Sequence, residues 1–409
     1  MTAIRRGLLS DYFEGVAVKR LSSVEANALV SNQHEFNSSG QLKELLGTPD
    51  RVKYDATFIW IGGEQEALTD EGFLTWYESR KPPRREHRLY FPSNAVCAAA
   101  KEGDTLFIAK RTNNTLIAII VPSESTVQNQ LLWLFGLEEQ PDLKFEAIEI
   151  TTDNASELDF TARYILDELG IEFEEPEADR LDALLVKFDS KFPTTREFSE
   201  LARSSLPEIS PRDNADLVLM AWIEREEMLF RRLERHIVAE RLGAGFMASD
   251  KVADVDGFLS FSLSVQNRRK SRAGQSLENH LESLFSAHAL LFARGAETEN
   301  RNKPDFLFPG QSDYRNPAFP ENRLTMLGAK STCKDRWRQV LSEATRINDK
   351  HLLTLEPGIS ENQTDEMQTK RLQLVVPQSL HATYREKQRR WLMNLSDFVE
   401  LVKERQSEK

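Results

Sequence analysis

Two kinds of hydrophobic spacing divide the chain. Up to about residue 135, short runs rich in apolar residues recur at 12–21, 54–61, 73–77, 87–91, 104–110 and 115–121, separated by Gly, Asn, Asp and Pro. Short runs of this kind bounded by turn formers predict strands, and this density of short strands predicts a mostly β, pseudobarrel-like domain. Past Phe192 and Pro193 the pattern becomes helical. Ile223, Met228, Phe230, Leu233, Ile237 and Val238 mark the inner face of a helix over 223–242, with Arg and Glu interleaved at i,i+4. Leu277, Leu281, Leu284, Phe285 and Ala289 mark a second helix over 276–291. Strands are predicted at 306–308, 324–329, 351–355 and 372–376, with a helix over 334–347 between the second and third and a closing helix over 384–402. That order predicts an α/β core, a mixed sheet flanked by helices.

Composition adds boundaries. From residue 138 to 182 the chain turns acidic, most densely at Glu172, Glu174, Glu175 and Glu177, which reads as a solvated hinge or, alternatively, as an electrostatic decoy for a basic DNA cleft. The expected organisation is a first domain over 1–172, a linker over 173–191 and a second domain over 192–409. A chain of 409 residues, 40% hydrophobic and 29% charged, is large enough for two cores of ordinary globular composition. Cys97 and Cys333 lie too far apart in sequence for a metal-ligand spacing, so neither a zinc site nor a disulfide framework is expected. No run reaches membrane-spanning length, and the first residues, although basic, lack the apolar stretch of a secretory signal. The reading is a cytoplasmic protein with no membrane partner.

A net charge of -12 counts against nucleic-acid binding, since phosphate neutralisation needs clustered Lys and Arg. Local counting reverses the objection. Residues 264–346 hold 14 Lys and Arg against 9 Asp and Glu, and the local field is what a polyanion meets.

Within that basic region lies the chemistry. Asp305 follows Pro304 at the start of an apolar run, Lys330 ends the next apolar run, and Glu343 borders the inner stripe formed by Trp337, Val340, Leu341, Ala344 and Ile347. Two carboxylates and a lysine carried on neighbouring elements form the inventory of a magnesium-dependent phosphodiesterase. Asp305 and Glu343 would hold Mg²⁺, a hard cation suited to oxygen-only ligands, and Lys330 would orient or activate the water. Glu278, on the helix at 276–291, is a further candidate, for the metal's outer shell or as general-base support. Taken singly, Pro304 and Asp305 form an ordinary turn pair, and Glu343 and Glu278 are ordinary flank glutamates.

Two basic stretches suit duplex DNA. Lys334, Asp335 and Arg336 open the helix after the lysine strand, with donors for guanine O6 and N7 and an acceptor for cytosine N4, although a solvated cap has the same composition. Arg268, Arg269, Lys270 and Arg272 precede the helix at 276–291 as a loop suited to phosphates, or as a simple solvated loop.

These segments together resemble the carboxy-terminal catalytic domain of the EcoRII-type restriction endonucleases. The resemblance rests on the stretches 264–278, 303–309, 329–339 and 374–377 and covers about half of the chain, 192–395. It implies that Asp305, Lys330 and Glu343 form the active site, with a further glutamate at Glu278 and base readers at Lys334, Asp335 and Arg336. Many restriction nucleases carry an acid two positions before the lysine, where this chain has Gly328. In the EcoRII type the glutamate has migrated from the strand to the helix, which accounts for that glycine. The resemblance further implies a five-base-pair target with CC and GG flanking one central pair. Cutting before the first C by a two-fold homodimer, leaving 5′ extensions, is likewise implied. The amino-terminal half resembles the same family's effector domain, a DNA-binding pseudobarrel, mainly at 12–22. Arg80, Lys81, Arg84 and Arg85, with the stretch 31–37, would then contact a second DNA copy and let this domain restrain the nuclease. A restriction enzyme also implies a cognate DNA methyltransferase as functional partner. A DNA-binding regulator with an idle nuclease fold and a nicking or repair endonuclease are the competing readings.

Overall fold

The computed structural model describes residues 7–26, 34–37, 40–62, 67–79, 86–137, 141–173, 178–188, 191–247, 252–334 and 336–407. It divides into two units: Arg6–Glu174 with Pro357–Glu361, and Glu175–Glu356 with Asn362–Lys409. Among the described residues no helix is long and apolar enough to cross a membrane.

The first unit is built on eight strands: β1 (Phe13–Arg20), β2 (Glu35–Asn37), β3 (Arg51–Trp60), β4 (Leu68–Glu78), β5 (His87–Tyr90), β6 (Thr105–Arg111), β7 (Leu116–Val121) and β8 (Glu146–Glu149). Their order is β2-β5-β4-β3-β7-β6-β1-β8, antiparallel except between β3 and β7. Side chains alternate between two cores, as a two-residue period requires. Val16, Val18, Phe107, Ala109, Ile117 and Ile119 enter one core, with α1 (Thr126–Leu134) and α2 (Phe160–Glu168). Ala17, Leu106, Ile108, Ala118 and Ile120 enter the other with Leu74, Trp76 and Leu89. The six predicted strands are all present. The two not predicted, β2 and β8, are the edge strands, three and four residues long, too short to display a period.

Arg80, Lys81, Arg84 and Arg85 lie outside the described residues, as do positions 31–33. Their described neighbours have internal partners. Glu35 accepts from Arg88 at 2.5 Å and from the Tyr77 hydroxyl, and the buried His87 ring meets the Pro49 carbonyl at 3.1 Å.

The second unit contains a five-stranded sheet in the order β13-β12-β11-β10-β9. The strands are β9 (Ala293–Arg294), β10 (Phe306–Phe308), β11 (Thr325–Lys330), β12 (Lys350–Thr354) and β13 (Leu372–Val375). Pairing is antiparallel from β9 to β11 and parallel from β11 to β13. Helices α3 (Ala178–Leu185), α4 (Thr195–Ser204), α5 (Ala215–Ala244), α6 (Val255–Ala287), α7 (Glu361–Thr369) and α8 (Leu395–Ser407) accompany it. This is the expected mixed sheet with flanking helices. Phe285 of α6 packs edge-on against Phe306 and Phe308 at 5.2 and 5.4 Å, and Phe308 meets Phe398 of α8 at 5.8 Å.

Four local readings change. The stretch read as an acidic hinge carries α3, whose Leu181 and Leu185 join a core with Phe198, Met228 and Phe230. The basic stretch 267–274, read as a loop, is the interior of α6, because α5 supplies Glu226, Glu227 and Glu234 as partners for its arginines. Instead of a helix over 334–347 there is one short helix, Trp337–Val340, followed by turns closed by i→i+3 bonds: Ser342 to Gln339 and Glu343 to Val340, each 3.2 Å, and Ile347 to Ala344, 2.9 Å. Trp337, Val340, Ala344 and Ile347 are nevertheless buried, since tight three-residue turns bring i and i+3 to one side as an α-helix does. The closing helix predicted over 384–402 is divided into Glu386–Arg389 and α8.

Candidate active site

Phe306 of β10 lies opposite Leu327 of β11, so Asp305, the residue before β10, faces the end of β11. Its Oδ2 accepts the Ala329 N–H at 2.7 Å and the Lys330 Nζ at 2.8 Å. A backbone donor and a side-chain donor on one oxygen fix the rotamer. Among the described residues no hydrogen bond reaches Oδ1.

Gly328 shares a strand face with Lys330, yet that face has no room for an acid. A Cβ at 328 would lie 2.9 Å from Val340 Cγ2 and 3.4 Å from Leu352 Cδ1. Val340 is fully buried and branched at Cβ, so it has little freedom to yield. The segment that closes this position also carries Glu343, the expected replacement, three residues after Val340.

Glu343 is half-buried, and its Oε2 is sealed from solvent without a hydrogen-bond partner. Burial pushes its carboxyl up to about 7, the Asp305 charge adds to the rise, and Lys330 and Lys350 oppose it. Leaving a buried acceptor unsatisfied costs about 1–3 kcal/mol, which a cation at that oxygen would recover. Among the described residues no three His, Cys, Asp or Glu side chains form a ready-made metal cage. Two carboxylates beside a lysine still fit Mg²⁺, which keeps several waters and takes one or two protein carboxylates. The orphaned Oε2 and the open Oδ1 make this donor set suited to such an ion.

The turn that carries Glu343 is tied down from several sides. Lys350 Nζ, at the start of β12, donates to the Glu343 carbonyl and, at 3.1 Å, to the Ala344 carbonyl. Asn302 Nδ2 donates to the Ser342 carbonyl at 2.8 Å. The Tyr314 hydroxyl donates to Glu299, which in turn accepts the Thr345 N–H at 3.2 Å. Ala344 has a φ of 46°, a left-handed residue that separates the turn closed at Glu343 from the one closed at Ile347.

Glu278 of α6 is electrostatically part of the same group. Burial raises its pKa, the Asp305 charge raises it further, and Arg294 opposes. Arg294, on β9, holds it at 2.9 Å and reaches Glu282 at 2.7 Å and Asn279 at 2.9 Å. Glu278 is therefore already ion-paired, whereas Glu343 is not.

Of the expected base readers, Lys334 and Arg336 are exposed and Asp335 lies outside the described residues. Lys334 has a φ of 33°. The buried Glu356 accepts both the Cys333 N–H and, at 3.3 Å, the Lys334 N–H, while Arg336 reaches the Thr332 carbonyl at 3.2 Å. The four α6 cations are treated unequally. Arg268 is exposed with its guanidinium 4.1 Å from the Phe192 ring centre, and Arg269 pairs with Glu234 at 2.5 Å. Arg272 is buried between Glu226, at 3.1 Å, and Glu227, so it has no face to offer a phosphate. The Lys270 side chain is outside the described set.

Sequence reading missed Lys350, Glu356 and Arg294. Lys350 directly precedes a predicted strand and Glu356 directly follows it, but their partners are backbone groups 6 to 23 positions away, which leave no trace in a hydrophobic pattern.

Comparison with known proteins bears on this same region. Residues 230–399 match the family of the EcoRII C-terminal domain. The type II restriction enzyme EcoRII of Escherichia coli is 43% identical over 210 residues, 51% of this chain and 50% of that protein, so the chain spans about half the length of this relative. Among solved structures, metal-depleted Ecl18kI in complex with uncleaved, modified DNA gives a TM-score of 0.44 at 18% identity, over 55% of this chain and 83% of that one. The restriction endonuclease PspGI in complex with substrate DNA gives 0.43 at 14% identity, over 52% and 93%. Residues 230–399, which carry Asp305, Lys330 and Glu343, are thus similar to the EcoRII carboxy-terminal domain.

Proposed function

We propose that this protein is a type II restriction endonuclease that hydrolyses double-stranded DNA at a CC-N-GG-like sequence, using Mg²⁺ held by Asp305 and Glu343. The observation that carries the reading is the pairing of a fixed Asp305–Lys330 couple with an unpartnered, buried Glu343 oxygen. When bound, the ion supplies Lewis-acid stabilisation of the charge that develops on the phosphate. The chain's own groups do the remaining work. Lys330 Nζ, anchored 2.8 Å from Asp305, presents an ammonium that orients the attacking water and the phosphate oxygens. Water oxygen bonds to phosphorus, the bond to the 3′ oxygen breaks, and that oxygen takes up a proton, giving a 5′-phosphate and a 3′-hydroxyl. Glu278, already engaged by Arg294, supports the site from its outer side.

Lys334, Asp335 and Arg336 read adjacent G·C pairs, and a homodimer applies the same site to both strands of a symmetric target. The first unit binds a second DNA copy and restrains cutting until occupied, and a cognate methyltransferase protects the host's own copies of the target. The enzyme acts in the cytoplasm. The test is digestion of phage DNA with Mg²⁺ followed by sequencing of fragment ends, alongside Asp305→Ala. Uniform 5′-phosphate ends at one five-base-pair sequence, with the variant binding but not cutting, are expected. Cutting by the variant overturns the site, single-strand nicks alone favour a nicking enzyme, and binding without any cutting favours a regulator.

A further inference from the structure

Resting on that reading, we propose that Lys350, at the start of β12, and Glu356, two residues past its end, are positioning residues that hold the cutting carboxylate and the reading loop at a set separation. The chain leaves β11 at Lys330 and returns to the sheet at Lys350. Both the reading residues and Glu343 lie on that excursion, which contains no regular element longer than the single short helix Trp337–Val340. An excursion of this kind has no intrinsic shape and must be fastened from outside.

The fastening is found at the start of one strand and just past its end. Lys350 is 8% exposed, and its Nζ donates to the consecutive carbonyls of Glu343 and Ala344. Those bonds set the backbone from which the Glu343 side chain projects, without occupying its carboxylate. Glu356 is 5% exposed, and its Oε2 accepts the consecutive amides of Cys333 and Lys334. That fixes the backbone immediately before Asp335 and Arg336. Glu356 is itself held, its N–H bonded to Thr354 Oγ1 at 3.1 Å and its carbonyl to the Tyr384 hydroxyl at 2.6 Å. The two clamps are charge-complementary to what they hold: an ammonium on carbonyls, a carboxylate on amides. β12 covers Lys350–Thr354, so the stretch from Lys350 to Glu356 reaches at most about 20 Å, most of it hydrogen-bonded interior strand with little give along its length.

Neither group touches the reacting atoms, so the two act through others and should fail in different ways. Removing the Lys350 clamp loosens one metal-holding carboxylate. Outer partners of metal ligands are typically worth about 10–100-fold in metal affinity or activity. Lys350→Met should therefore raise the Mg²⁺ concentration for half-maximal cutting by about tenfold or more and lower kcat, while its preference for the cognate duplex over one with a single flanking G·C pair changed stays as in wild type. Lys350→Arg, which keeps donors for the two carbonyls, should recover part of the loss. Glu356→Ala should do the opposite, reducing that preference by about tenfold and leaving the Mg²⁺ midpoint in place, with Glu356→Gln intermediate.

The experiment is a Mg²⁺ titration of cutting rate on the two duplexes for the full-length wild type and all four variants, with circular dichroism melting to verify folding and binding of Mg²⁺ alone followed by calorimetry. If wild type does not cut, the functional reading fails. Should wild type cut and Lys350→Met share its Mg²⁺ midpoint, or should both substitutions shift midpoint and preference alike, the positioning roles are overturned. A Lys350→Met that does not fold transfers the decision to Lys350→Arg and its midpoint.

Discussion

Glu226 and Glu343 are glutamates of the same unit, each with a carboxylate oxygen closed off from solvent, and their surroundings drive them in opposite directions. Glu226 sits on α5 with Arg272 at 3.1 Å and the His280 ring at 2.9 Å. Burial would raise its pKa, but the His280 hydrogen bond and the Arg272 charge outweigh it and hold the carboxyl below the ordinary range. Glu343 meets burial and the Asp305 charge without any donor on Oε2, and rises to about 7. One carboxylate has a guanidinium and a ring nitrogen within ion-pair distance inside the protein. The other is left open on one side, where a ligand's charge would complete it. A depressed carboxyl contributes stability above its unfolded pKa, and a raised one withdraws stability as it ionises. The lesson is that the same residue type is held charged in one cluster and pushed toward its neutral form in the other, decided by whether the neighbouring chain places a partner directly on the carboxylate.

The largest effect expected from this contrast is on rate. Glu343→Gln removes a proposed metal ligand and should lower cutting by about a thousandfold, roughly 4 kcal/mol of barrier. A variant within tenfold of wild type in a plasmid-cleavage assay would erase the distinction between the clusters. Next comes Arg272→Ala, which strands a buried carboxylate and should lower unfolding free energy by about 3 kcal/mol in urea titration. At a temperature where it is folded, the dependence of its DNA affinity on salt should match wild type. A phosphate-contacting Arg272 would instead lower the logarithmic slope by about one.

Smaller effects sharpen the picture. Gly328→Ala places a methyl 2.9 Å from Val340 Cγ2 and should destabilise the fold by about 2 kcal/mol, shifting the segment that carries Glu343. Thermal melting and cutting rate should fall together, and an unperturbed double readout contradicts the steric account of the missing acid. The smallest effect has the opposite sign. Glu343 takes up its proton in the folded state at about 7 and in the unfolded chain at the ordinary glutamate value, so its charge withdraws stability progressively as pH rises between them. Glu343→Gln should therefore be more stable than wild type at pH 8, by about 1 kcal/mol after solvent screening, and lose that advantage near pH 5. An advantage independent of pH would mean that the charge is not its source.

Legibility followed the range of the interactions involved. Interior strands such as β6 and β7 were readable because each is a short apolar run bounded by turn formers, a local signal that holds whichever strand lies beside it. The burial of Trp337, Val340, Ala344 and Ile347 was readable for a similar reason, but the helix drawn through them was not. Three-residue turns produce much the same spacing, and what ends the helix here is a set of distant bonds from Lys350, Asn302 and the Glu299–Tyr314 pair. The loop drawn at 267–274 failed in the complementary way. Its cationic density looked solvated because Glu226, Glu227 and Glu234 lie 35 to 46 residues upstream.

What the amino-acid order determined alone was the inventory: an aspartate before one strand, a lysine ending the next, a glutamate beyond it, and a glycine where an acid might be looked for. Period and punctuation are local, so they survive without the fold. Which charges are neutralised was decided only in three dimensions. Coulomb and hydrogen-bond energies depend on distances of a few ångströms between segments far apart in sequence, and only the packed sheet and helices set those distances. Packing paired Arg272 with two glutamates, tied Glu278 to Arg294, and left Glu343 with an empty oxygen.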